Sequence, residues 1–81
     1  EVRLNIAMTA RAMGDYSLAY EMYFDNITFW SNDDSSLAIN ALALTYSNLS
    51  VLFYFVNDKI KGLYYFDKIE CIKIYVSLKM D

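Results

Sequence analysis

The sequence predicts an all-α fold of about four helices in antiparallel hairpins, and three features carry that expectation. The 81 residues hold no proline and only two glycines, Gly14 and Gly62, so few positions force the chain to break. Apolar residues recur every three or four positions along most of the length, as on one face of a helix. Polar residues of loop type gather in one place, "SNDDSS" (Ser31 to Ser36), between two such stretches.

The first helix is Val2 to Met13, rich in the good helix formers Ala, Met, Leu and Arg. It stops at Gly14-Asp15, where glycine suits the left-handed residue after a helix and Asp15 caps a second helix beginning near Tyr16. Tyr16, Ala19, Tyr20, Tyr23, Ile27 and Trp30 form one apolar stripe on that helix, which needs a partner along its whole length. The Asp and Ser residues of "SNDDSS" cap the third helix. Asn57-Asp58 repeats the form of Gly14-Asp15, because Asn tolerates the left-handed conformation and Asp caps the fourth helix. The final segment, Ile72 to Met80, alternates apolar and polar residues as a half-buried strand would. Helix is the preferred reading, since Phe66, Ile69, Ile72, Tyr75 or Val76, and Lys79 continue a helical stripe without a turn signal. A strand there would also have no second strand to pair with.

Composition narrows the chemistry. Hydrophobic residues make up 57 %, eight of them tyrosines, above the roughly 45–50 % of an ordinary soluble domain, which suggests surfaces meant to be covered. A net charge of −3 with dispersed basic residues leaves no footprint for nucleic acid. One cysteine allows no internal disulfide, and the lack of histidine removes Cys/His zinc sites and histidine-activated nucleophiles, so no enzyme activity, cofactor or metal is expected. Cys71 reads as a small buried apolar residue. Asp33-Asp34 lacks the glycine and late glutamate of a calcium loop and reads as helix capping. "NIT" at Asn26 and "NLS" at Asn48 match the glycosylation acceptor pattern but fall inside predicted helices. A chain of this length buries only about 60 % or slightly more of its unfolded surface, and it opens on Glu1 rather than Met, so it reads as a piece of something longer.

No charged residue occurs from Ser35 to Asn57, a stretch long enough to cross a bilayer as a helix. Against a span, Asn40, Thr45, Ser47, Asn48, Ser50 and Asn57 are scattered through it, and acidic residues bound both ends. A helix covered on several sides by other helices explains the same composition. A membrane-anchored segment is the alternative.

The chain also contains an internal repeat. "NIAMTARAMGDYSLAYEMYFDNI" (Asn5 to Ile27) aligns with "NLSVLFYFVNDKIKGLYYFDKI" (Asn48 to Ile69), pairing Asn5 with Asn48, Ile6 with Leu49, Asp15 with Asp58 and Ala19 with Gly62, while "YFDNI" and "YFDKI" match best one residue out of step. Small residues (Ala7, Ser50, Ala19, Gly62) let paired helices approach, and aromatics (Phe53, Tyr23, Phe66) fill the space beside them. With Gly14, Tyr16, Leu49 and Ile69 these residues make up the expected packing set. On these residues each half resembles the tetratricopeptide repeat, and the spacing, longer than that family's roughly 34 residues, is similar to kinesin-light-chain-like arrays. The halves depart from the pattern at Ala10, which stands at an aromatic position, and at Asn57 and Lys59, which replace Gly and Tyr.

The resemblance implies an α-solenoid of stacked hairpins, with one repeat over about 2–31, a loop at 32–35 and a second repeat over about 36–80, forming one module of a longer array. It further implies a groove along the leading helices, lined by Leu4, Met8, Arg11 and Ala12 and by Leu44, Ser47, Val51, Tyr54 and Phe55. Only Arg11 is charged, so a carboxylate-gripping clamp is not expected. An apolar, aromatic groove suits an amphipathic helix or apolar segment held by a few anchors. The function expected is an intracellular, cytoplasmic protein-interaction scaffold that binds a partner's peptide or helix, or a neighbouring repeat or subunit. The alternative is a peptide-sensing regulatory module attached to an effector domain.

Overall fold

The computed structural model describes residues 2–79, and all four of its elements are helices: α1 Val2–Ala12, α2 Tyr16–Trp30, α3 Ser36–Phe55 and α4 Lys59–Lys79. There is no strand among the described residues. The alternating segment from Ile72 is therefore helical through Lys79, and its last residue, Met80, lies outside the described residues.

Two turns of the same construction set the helix ends. Gly14 and Asn57 have φ of 82° and 65°, in the left-handed region. The Gly14 N–H donates to the Arg11 carbonyl at 3.0 Å and the Asp15 N–H to the Ala10 carbonyl at 2.8 Å. Forty-three positions on, the Asn57 N–H donates to Tyr54 at 3.1 Å and the Asp58 N–H to Phe53 at 2.8 Å. Both are Schellman motifs, which satisfy carbonyls the ending helix would leave open. Each aspartate then caps the helix that follows, Asp15 Oδ1 accepting from the Leu18 N–H and Asp58 Oδ1 from the Lys61 N–H, both at 3.2 Å. One residue both closes one helix and opens the next, so the connections are too short for anything but an antiparallel return. The longer connection uses Asp33, whose Oδ1 accepts from the Ser35 N–H, and Ser35, whose Oγ accepts from the Ala38 N–H at the start of α3.

The chain divides into two compact units, Glu1–Thr45 and Tyr46–Asp81, and the division falls inside α3 rather than in the loop at 32–35. Thr45, in the first half of α3, is hydrogen-bonded to Asn26 of α2, while Ser50, Phe53 and Tyr54 in its second half meet Gly62 and Tyr65 of α4. In the first unit Leu4, Ala7, Ala10, Ala19, Tyr23, Ala38 and Ala41 are buried, a core dominated by alanine that brings helix backbones close. The Arg3 guanidinium lies 4.2 Å from the centre of the Phe29 ring and joins the start of α1 to the end of α2.

In the second unit Leu49 and Leu52 are fully buried and Phe53 nearly so. The Phe53 ring stacks on Tyr65 at 5.5 Å between centroids, and Tyr65 stacks in turn on Tyr46 at 6.0 Å. Gly62 is buried where α4 crosses α3: its carbonyl accepts from Ser50 Oγ at 2.8 Å, and a Cβ added to it would lie 2.8 Å from Tyr54 Cδ2. Alanine is otherwise about 1 kcal/mol better than glycine inside a helix, so the Tyr54 ring decides the sign of a substitution there. Gly62→Ala should destabilise the protein when Tyr54 is present and stabilise it by about 1 kcal/mol when Tyr54 is replaced by Ser. Denaturant titration of the two single variants and the double variant measures this coupling, and additive effects would refute the contact.

Candidate interaction surface

Of the expected groove residues, Leu44, Ser47, Val51, Tyr54 and Phe55 are all exposed and recur at three or four positions, forming one stripe down α3. Val51 and Phe55 are 57 % and 67 % exposed. Tyr54 is 45 % exposed but has a second role, because its ring covers Gly62. On α1, Met8 and Ala12 are exposed and Arg11 is half-buried. Leu4 differs from the expectation: at 5 % exposure it lies in the core of the first unit, one turn from Ala7 on the face of α1 that meets α2.

The expected packing set is mostly interior. Ala7, Ala19, Tyr23, Leu49, Ser50, Phe53 and Gly62 are buried, and Tyr16 and Ile69 are half-buried. Gly14 is exposed, its purpose being the backbone angle. Phe66 is the correction, at 47 % exposure. Tyr65, three residues after Gly62 rather than four, supplies the aromatic that stacks on Phe53. Cys71 is a second correction, exposed rather than buried, on a part of α4 whose other residues are also largely exposed.

A polar network inside the first unit escaped the sequence reading. Asn26 and Thr45 are fully buried. Asn26 Nδ2 donates to Thr45 Oγ1 at 2.8 Å, Thr45 Oγ1 donates to the Ala41 carbonyl at 2.7 Å, and Trp30 Nε1 donates to Asn26 Oδ1 at 3.2 Å. Asn26 stands three residues after Tyr23 and four before Trp30, on the apolar stripe of α2. The spacing therefore marked it as inward, and only its polarity argued otherwise. The polar residues scattered through α3 divide accordingly: Thr45 and Ser50 are buried and hydrogen-bonded, whereas Asn40 and Ser47 are exposed. By length and composition α3 could still cross a membrane, with a mean hydropathy of 1.4.

Burial is the main electrostatic influence on three of the tyrosines. Desolvation raises the pKa of Tyr23, Tyr46 and Tyr65 above the ordinary value, partly offset by Arg11 for the first and Lys68 for the other two. Tyr23 is fully buried, and its hydroxyl has no hydrogen-bond partner among the described residues. No cluster of three or more His, Cys, Asp or Glu side chains is placed to hold a metal among the described residues. No protein-family model matches the chain, and neither a curated protein nor a solved structure gives a match.

Proposed function

We propose that the chain is a tetratricopeptide-like interaction module whose hairpins stack as an α-solenoid and which binds an amphipathic helix or apolar peptide of a protein partner within a larger assembly. The observation that carries this reading is the exposed stripe on α3. A helix that is apolar on its covered side usually turns a polar face to solvent, but here Leu44, Val51, Tyr54 and Phe55 continue the apolar character on the open side. Such a row offers anchors at the three-to-four spacing that a partner helix presents. The two turns built with the same hydrogen bonds 43 residues apart support the repeat on which the reading rests. No residue here is assigned a catalytic role.

Val51 and Phe55 are better probes of the surface than Tyr54, whose loss would also uncover Gly62. A library of amphipathic helical peptides displayed and selected on the wild-type chain should yield binders. Their affinity should fall at least about tenfold on Val51→Asp/Phe55→Asp, with the helical circular dichroism spectrum unchanged. Binders indifferent to that double variant would overturn the assignment of the stripe.

A further inference from the structure

The two units carry opposite charge. Glu1–Thr45 holds six acidic and two basic residues, a net charge of −4, whereas Tyr46–Asp81 holds four acidic and five basic residues, a net charge of +1. All five lysines of the chain lie on α4. Charge distributed in this way bears on association rather than on the fold. Three of the lysines fall on one line down α4. Lys61, Tyr64, Lys68, Tyr75 and Lys79 follow one another at three, four, seven and four residues, which returns each to the same side of a helix, and Asp67 and Glu70 lie off that line. Lys68 Nζ lies 5.0 Å from the centre of the Tyr64 ring and Lys79 Nζ 4.9 Å from the centre of the Tyr75 ring, and both rings are exposed. A cation held against a ring has less freedom to lose when a partner arrives.

The outward side of α2 is the complement of that line. No Lys or Arg occurs on α2. Glu21, Phe24 and Asp25 are exposed on it, three and four residues apart, so the ring sits beside both carboxylates. Neither carboxylate belongs to an ion pair among the described residues. Like charges four apart on a helix repel, and an opposing cation removes that cost. We infer that the lysine and tyrosine line on α4 of one copy of this chain docks on the acidic side of α2 of a second copy. Lys61 and Lys68 are about 10 Å apart along the helix axis and Glu21 and Asp25 about 6 Å, at 1.5 Å per residue. The long lysine side chains close that difference, with Tyr64 set against Phe24 between the two ion pairs. One pair of helix sides buries less than the roughly 1,200 Å² at which stable interfaces begin, so the contact is weak and depends on charge. The surface is separate from the α3 stripe and stands or falls independently of it.

The test is sedimentation velocity of the full chain over a range of concentrations, at about 20 mM and about 0.5 M salt. The wild type should form dimers or larger species at low salt and return to monomer at high salt. Lys61→Glu/Lys68→Glu leaves acid on both surfaces, and Glu21→Lys/Asp25→Lys leaves base on both, so each variant alone should be monomeric. Mixed in equal amounts the two should associate again, because every contact between unlike copies is then between opposite charges. That recovery also shows that both variants are folded. Should Lys61→Glu disturb the cap at Asp58, Lys68→Glu alone serves, and should weaken association at least about tenfold. Val51→Asp/Phe55→Asp should associate as the wild type does, which separates this surface from the stripe. A wild type that stays monomeric at low salt, association that survives high salt or either charge reversal, failure of the mixture to recover it, or its loss in the stripe variant would overturn the inference. So would a monomer that sediments with phosphatidylserine vesicles through Lys61 and Lys68, which would assign the line on α4 to an anionic lipid surface.

Discussion

Asn26→Asp is expected to unfold the protein at neutral pH and to be tolerated in acid. Asn26 is fully buried, donates to Thr45 Oγ1 and accepts from Trp30 Nε1. A carboxylate in its place has no proton to donate and meets the oxygen of Thr45, whose own proton is committed to the Ala41 carbonyl. It would also carry an unpaired charge into the interior, which costs several kcal/mol. The neutral acid, by contrast, donates to Thr45 and accepts from Trp30, reproducing both bonds of the amide. The folded-state pKa of the introduced acid is therefore raised above the ordinary value of about 3.9. Stability relative to the wild type is retained below that unfolded-state value and lost as pH rises through the raised one, at up to about 1.4 kcal/mol per pH unit. Denaturant unfolding should show a deficit of at least about 3 kcal/mol at pH 7, and a much smaller one when both proteins are compared near pH 3.5. An equal deficit at the two pH values would show that the network is not built as described.

Tyr23 gives the second large effect, with opposite signs for two substitutions. The ring fills the first unit, so Tyr23→Ala should lower stability by about 3–5 kcal/mol, as large aromatic truncations do. Its hydroxyl is a different matter, because a buried polar group without a partner costs about 1–3 kcal/mol. Tyr23→Phe removes that group while keeping the ring and should raise stability by about 1 kcal/mol or more. The same burial governs the response to alkali. Tyr23, Tyr46 and Tyr65 have pKa values raised in the folded state, so the unfolded chain ionises first. Stability is then full below about pH 10 and falls as pH rises through the raised values. In Tyr23→Phe that alkaline decline should be shallower. A stability loss in Tyr23→Phe at neutral pH, or an unchanged alkaline slope, would contradict the buried, unpartnered hydroxyl.

Number, ends and order of the helices were legible in the residues because they depend on contacts a few positions apart. Gly14 and Asn57 take the left-handed angle, Asp15, Asp58 and Ser35 cap the helices that follow, and nothing distant is needed to make them do so. The exposed stripe on α3 was legible in part, since its spacing places Leu44, Ser47, Val51, Tyr54 and Phe55 on one face. Which face meets a neighbour is another kind of question. Periodicity allows either Tyr65 or Phe66 to pack on α3, and only the crossing at Gly62 selects Tyr65. Leu4 and Met8 lie on adjacent positions around α1, and the direction from which α2 approaches sends one inward and leaves the other exposed. Asn26 lies on the apolar stripe of α2, but burying an amide is unfavourable without a partner, and the partners, Thr45 and Trp30, come from two different helices. Backbone hydrogen bonds within five residues decide the first set of properties, and the distance and angle between helices decide the second.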